Sequence, residues 1–294
     1  NFRPIRTGKE FDFRIEGDNA LCINNWKMKS GEPESADDFF KTDFDDSGWL
    51  DVTMGAWEMQ LPQERDEEKY PIILLYRTSF FIKDIPSRLK LLVDGFSGGD
   101  YTLYINGSEI EDKGRRSKLD AEIKEIDIRE FAKGGKNTIA VKLTAERRTD
   151  GILDLLKITG DFALEREGNG FFIVKEPGKI RTGDWTKQGY PFYSGTGVYS
   201  TQIKIPEKYT GGKLFLDIDC GEDVLEVSIN NSKGIIVPWH PYRLDISGLV
   251  KPGSNLIELK VTNTLINILE AVQKKSGLFR EPVIIHSHVY TLSI

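Results

Sequence analysis

Apolar and polar residues alternate at period two along much of this chain. Thr102–Ile105, Thr138–Leu143, Val224–Ile229 and Leu256–Val261 each place every second side chain on one apolar face, the pattern of strands with one face in a core and one in water. Gly- and Asn-rich turns separate them, among them Ser97-Gly-Gly-Asp100, Asn106-Gly107, Lys133-Gly-Gly-Lys136 and Lys251-Pro-Gly-Ser254. Helical periodicity is scarce and predicts only short turns at 128–133 and 246–250. Many short strands punctuated this way predict an all-β chain built of β-sandwiches.

The pattern occurs twice, in the same order. Residues 76–144 run through Tyr76, Asn106, Asp127 and Asn137, and residues 199–262 through Tyr199, Asn230, Asp245 and Asn255. The spacings between equivalent residues are 123, 124, 118 and 118, so the copies differ only by changes in polar stretches, as surface loops tolerate. A period of roughly 120 residues is a whole domain, not a solenoid unit of about 20–50. Two tandem sandwiches are therefore expected, over residues 1–162 and 163–294. Within these, residues 1–17 read as a leader feeding the first sandwich from something upstream, and 163–170 as a polar connector. Among the shared positions, Asn106 and Asn230 suit turns that need left-handed geometry. Asp127 and Asp245 suit the cap of a short helical turn. Tyr76, Tyr199, Trp49 and Trp57 read as core.

Composition narrows the function. Hydrophobic residues make up 39% and charged residues 29% of the 294, with a net charge of −6, which argues against nucleic acid as the main partner. No apolar run approaches the ~20 residues that span a bilayer. Cys22 and Cys220 fall in different copies inside apolar stretches and read as buried free thiols. The charged loop 63–70 reads as solvated. Gly134–Thr138 lacks the Ser or Thr directly after Lys that a phosphate loop needs, and Ser194 lacks the flanking glycines of a nucleophile elbow. His286 and His288 share one strand face but have no third ligand nearby in the sequence. Asn106-Gly-Ser108 and Asn230-Asn-Ser232 fit the glycosylation sequon, a triplet that turns also generate.

Sugar recognition needs exposed aromatic rings for the apolar face of a pyranose, and charged or amide groups for its hydroxyls. The densest such cluster is Trp239-His240-Pro-Tyr242-Arg243, which places indole, imidazole, phenol and guanidinium on one loop. Tyr190 and Tyr193 are placed to close over it, and Asn263 and Asn267 to supply amides. The same run also reads as scaffold for the turn that follows it, or as an interface with another domain.

Several runs carry a family resemblance. Asp45–Trp49, Gly55-Ala-Trp57, Leu75–Phe80, Asn106-Gly107 and Asp127-Ile-Arg129 resemble the sugar-binding jelly roll of family 2 glycoside hydrolases. Gly183–Tyr199, Trp239–Asp245, Thr262–Asn267 and Ser276–Pro282 are similar to the C-terminal region of family 106 α-L-rhamnosidases. The resemblance implies two tandem galactose-binding-like β-sandwich (jelly-roll) domains and a catalytic barrel elsewhere in the polypeptide, for which no length remains here. It further implies a non-catalytic accessory role beside an upstream catalytic domain, carbohydrate or polysaccharide as partner, and a periplasmic or cell-surface location. An autonomous carbohydrate-binding module and a stand-alone hydrolase are the alternatives. No cofactor is expected. The jelly-roll resemblance does admit a structural calcium, with Asp37, Asp38, Asp43, Asp45 and Asp46 as candidate carboxylates.

Overall fold

The computed structural model describes residues 3–31, 38–61, 70–209 and 212–287. Residues 63–69 of the charged loop, Asp37 and His288 lie outside them. Among the described residues the chain is all-β apart from short 3₁₀ turns and one α-helix, Ile266–Glu270. It divides into two compact units, residues 19–175 and residues 1–18 with 176–294, called here the first and second sandwich.

In the first sandwich, the large sheet runs Ser108–Glu109, Tyr101–Ile105, Gly135–Ala145, Ile72–Ile82, Gly170–Val174, Ala163–Glu167, with Trp26–Ser30 also pairing on Ile72–Ile82. A five-stranded sheet runs Arg115–Arg116, Lys124–Asp127, Leu89–Val93, Leu156–Gly160, Asn19–Ile23. Ile72–Ile82 buries four consecutive residues, Leu74 to Arg77, so both of its faces are covered. Leu75 and Ala140 on one face pack with Phe39 and Trp49 of the segment that crosses it. Arg77 holds that segment: Nε donates to Asp46 Oδ2 at 2.8 Å, while Nη1 donates to Phe39 O and, at 3.0 Å, to Lys41 O.

In the second sandwich, one sheet runs Lys179–Arg181, Glu10–Glu16, Thr196–Ile205, Gly253–Thr262, Val224–Ile229, Ile235–Val237, and the other Ile5–Arg6, Val283–Ser287, Lys213–Asp217, Arg243–Asp245. The expected leader is thus an interior strand of the second sandwich. Glu10–Glu16 pairs on both edges, with Phe13 opposite Tyr199 and Ile180 opposite Phe11. Alternation is the physical reason: Phe11 and Phe13 point into a core of Trp185, Tyr190, Tyr193 and Tyr199. Phe13 meets Tyr199 at 4.9 Å and Tyr190 at 5.3 Å between ring centroids. The expected connector differs as well. Ala163–Glu167 and Gly170–Val174 form a hairpin that joins the first sandwich through a parallel contact with Phe81 and Ile82. The boundary therefore lies at 175/176.

The duplication extends to backbone register. Val141 stands between Leu103 and Tyr76, and Leu259 between Val227 and Tyr199. The asparagines serve this scaffold. Asn106 and Asn230 take φ of 53° and 52°. Each donates from Nδ2 to the Oδ1 of its partner asparagine, at 2.7 Å to Asn137 and 2.8 Å to Asn255. Each also donates to a turn carbonyl, Phe131 O or Leu249 O. Both amides are thereby committed, which disfavours use of either sequon. Asp127 and Asp245 each accept from the backbone N–H two residues on at 3.0 Å, and the single turn that follows each is closed by Phe131 N to Ile128 O and by Leu249 N to Ile246 O.

A second duplicated feature escaped the sequence reading. Trp57 N donates to Asp150 O at 2.8 Å, and Trp185 N to Ser276 O at 2.9 Å. The next residues, Gly151 and Gly277, take φ of +144° and +124°. A Cβ on Gly151 would sit 2.9 Å from Gly55 O and 3.2 Å from the Tyr76 hydroxyl; on Gly277, 2.7 Å from Gly183 O and 2.9 Å from the Tyr199 hydroxyl. Each sandwich thus closes the end of its buried tyrosine with a Gly-x-Trp turn against a glycine (Gly55-Ala-Trp57 and Gly183-Asp-Trp185), where only a missing side chain fits.

Candidate functional site

The loop 238–242 leaves the edge strand Ile235–Val237 and returns through Arg243–Asp245. Tyr242 anchors it. This phenol is buried, and its hydroxyl donates to Asp223 O at 2.6 Å. The rest of the loop faces water: Trp239 is 73% exposed, and His240 and Arg243 are exposed too. The His240 ring lies 4.4 Å from that of Tyr242, and the Arg243 guanidinium lies 4.9 Å over Phe215. Ile236, 64% exposed, extends the apolar surface along the same edge.

The other candidates serve the interior. Tyr190 and Tyr193 are each 1% exposed, so neither closes over the loop as a platform. Tyr193 Oη donates to Glu16 O at 2.9 Å and Thr196 O at 3.0 Å. Burial pushes the pKa of both phenols well above the ordinary value. Asn263 Nδ2 donates to Tyr193 O at 2.9 Å and Ser276 Oγ at 3.1 Å, and its Oδ1 accepts from Gly195 N. Asn267 is fully buried and exchanges bonds with Lys274, Oδ1 accepting at 2.7 Å and Nδ2 donating at 3.0 Å. These amides tie 193–195 to 274–276 and have little left for a ligand. Of the eight candidates, the structure leaves Trp239, His240 and Arg243 presented together to solvent.

Behind the loop lies a group that sequence reasoning missed. Asp223 is 4% exposed and accepts from Gly277 N at 3.4 Å. Desolvation outweighs this bond and a second from the Ser276 side chain, and raises its carboxyl to about 6. No local motif marks it. Cys220, on the same turn, is buried and Cys22 partly so; neither forms a disulfide, and burial pushes both thiols up to about 12, which makes them poor nucleophiles.

The calcium candidates do not fit a cation. Asp46 is committed to Arg77, Asp45 Oδ1 accepts from Ser47 N at 3.0 Å, Asp38 pairs with Lys41, and Asp43 lines a shallow recess with Lys41 and Lys133. Among the described residues no three His, Cys, Asp or Glu side chains come together as a metal site, and no helix is long and apolar enough to cross a membrane.

No family model matches the chain. A putative β-glucuronidase of Formosa agariphila is 34% identical to it over 89 residues, 30% of this chain and 8% of that protein. Among solved structures, a family 2 glycosyl hydrolase of Bacteroides cellulosilyticus aligns over 83% of this chain and 31% of its own, at 16% identity and a TM-score of 0.39. The Bacteroides uniformis β-glucuronidase gives 83%, 28%, 17% and 0.39 in the same order, and the Amycolatopsis orientalis exo-chitosanase 82%, 29%, 15% and 0.41. The chain spans less than a third of the length of each of these proteins.

Proposed function

We propose that this chain is a non-catalytic accessory region of a larger glycoside hydrolase, and that it contacts carbohydrate through the Trp239 loop. The observation that carries the reading is an indole 73% exposed beside His240 and Arg243, on a loop pinned from beneath by Tyr242. A large ring on a rigid mount, flanked by groups that bond hydroxyls, suits the stacking of a pyranose. The mount also keeps the ordering cost of binding low. The partial match to a much longer putative β-glucuronidase is compatible with a region that serves catalysis performed elsewhere. The likeness of 239–245 and 276–282 to α-L-rhamnosidases is the finer form of the same proposal, together with an upstream catalytic domain and an extracytoplasmic location.

Calorimetric titration of the 294-residue chain with a panel of oligosaccharides tests the reading. Binding is expected, with Trp239→Ala weakening it about tenfold or more at an unchanged melting temperature. Native-like affinity in Trp239→Ala would remove the loop from the proposal, and an absence of binding across the panel would remove carbohydrate contact. Turnover of an aryl rhamnoside or aryl glucuronide by this chain would overturn the non-catalytic assignment.

A further inference from the structure

Apart from the Trp239 loop, the second sandwich carries an open groove of about 730 Å³, within the ~300–1,000 Å³ typical of ligand sites. Three separate segments line it: the loop joining Ile5–Arg6 to Glu10–Glu16, the end of Lys179–Arg181, and residues 279–283. They bring together Arg6, Lys9, Arg181 and Arg280, with Glu281 the one lining acid. That gathers four cations in one place on a chain whose net charge is −6, two of them already paired with carboxylates.

The fold builds this groove. Thr7 N donates to Pro282 O at 3.2 Å and Thr182 N to Lys9 O at 2.8 Å, locking the first two segments to their neighbours. Glu281 is already satisfied, accepting from Arg6 Nη1 at 3.0 Å and Gly8 N at 2.9 Å. Arg280 is held by Asp217 at 3.0 Å and by Asp219 at 3.8 Å. Lys9 and Arg181 are exposed and make no direct ion pair among the described residues, Lys9 acting on the Glu281 carboxylate only at longer range. Glu10, which stands opposite Arg181 in the sheet, pairs with Lys179 instead. Phe279 lines the groove as a half-buried ring resting against Gly221, and Thr182 adds a hydroxyl.

We infer that this groove binds an anionic saccharide, a chain bearing carboxylate or sulfate groups, with Lys9 and Arg181 pairing with its charges and Phe279 contacting a ring face. The inference rests on the carbohydrate-contact reading above and narrows it to a charged class. A saccharide fits better than an acidic peptide because these two cations line the same groove as an aromatic ring and a hydroxyl.

Four probes test it on the 294-residue chain: an oligogalacturonate, a sulfated carrageenan oligosaccharide, neutral mannohexaose and poly-glutamate. At least one anionic oligosaccharide is expected to bind and to weaken as salt rises from about 0.05 to 0.5 M. The double variant Lys9→Ala/Arg181→Ala should lose tenfold or more of that affinity while melting like the native chain. Whichever anionic probe binds distinguishes carboxylate from sulfate recognition. Unchanged affinity in the double variant, or poly-glutamate binding as tightly as the oligosaccharides, overturns the inference. Binding of mannohexaose that depends on Trp239, with no preference for the anionic probes, overturns the groove but leaves carbohydrate contact standing. Silence from all three oligosaccharides overturns both.

Discussion

Asn255 Oδ1 accepts a 2.8 Å hydrogen bond from Asn230 Nδ2 and a second, at 2.9 Å, from Lys251 N, while its own Nδ2 donates to Lys251 O and Gly253 O. Asn137 does the same with Asn106, Lys133 and Gly135 in the other sandwich. One buried amide in each copy thus closes a turn and ties it to the neighbouring strand end. Asn255→Ala should cost about 2–4 kcal/mol, since an unsatisfied buried group costs about 1–3 kcal/mol and several partners are stranded at once. Asn137→Ala should cost the same. Asn255→Asp keeps the oxygen that accepts both bonds but turns a second carboxylate oxygen toward two carbonyls, so urea melts should find it weaker at pH 7 than at pH 4.

Arg77 is 1% exposed and reaches a carboxylate and three carbonyls, those of Phe39, Lys41 and Phe44, simultaneously. Arg77→Met should cost about 3 kcal/mol, the lower end of the range for removing one member of a buried pair, because Asp46 remains partly solvated. Arg77→Lys should fail to restore stability, because an ammonium lacks the planar fork that serves these acceptors together. Thermal denaturation of the three proteins checks this, and a fully stable Arg77→Lys would refute the role of the fork.

Asp223 predicts a pH dependence of definite sign. Its folded pKa of about 6 lies above the unfolded value of 3.8, so the native state holds the proton more tightly. The favourable contribution is complete below pH ~4 and is lost as pH rises through about 6, a span worth at most about 3 kcal/mol. Asp223→Asn retains an acceptor for Gly277 N and removes the charge. It should therefore stabilise the protein at pH 8 and leave it little changed at pH 4, as chemical denaturation at the two pH values can measure. A variant less stable than native at pH 8 would contradict this.

The two glycines beneath the tyrosine hydroxyls should resist substitution. Gly151→Ala and Gly277→Ala place a methyl against backbone oxygen at an unfavourable φ, and each should cost about 1–3 kcal/mol. Gly248→Ala is the control: nothing lies within 4 Å of its Cβ position, so the change should be within about 0.5 kcal/mol of native. Equal melting temperatures for all three variants would refute the close-packing argument.

Much of the scaffold was legible because strand alternation, turn residues and the internal repeat all pointed the same way. Tyr76 with Tyr199 and Asn137 with Asn255 could be paired by spacing alone, and the structure places each pair at equivalent registers. The Glu10–Glu16 strand was missed for a physical reason. Alternation reports which side chains face a core, not which sheet supplies the neighbours, and this strand pairs with residues more than 160 positions away. The Gly151 and Gly277 match was hidden because two residues carry too little pattern to register without the Trp turns they meet. In the candidate site, residue type was ambiguous. A tyrosine that stacks on a sugar and one that reaches a buried carbonyl look identical in sequence, and Tyr190, Tyr193 and Tyr242 proved to be interior. The cationic groove was illegible because Arg6, Lys9, Arg181 and Arg280 are brought together only by the fold.

The early placement of Glu10–Glu16 sets an order of assembly. Residues 19–175 are continuous and contain every strand of their own sandwich, so they can close while the ribosome is still making the remainder. The strand at 10–16 must meanwhile wait, its Phe11 and Phe13 without their aromatic neighbours, until Thr196–Ile205 has been synthesised. A fragment starting at Glu176 would lack an interior strand and should fail to fold, whereas 19–175 should fold alone. Joining residue 18 to residue 176 through a short linker should restore the second sandwich as an independent protein.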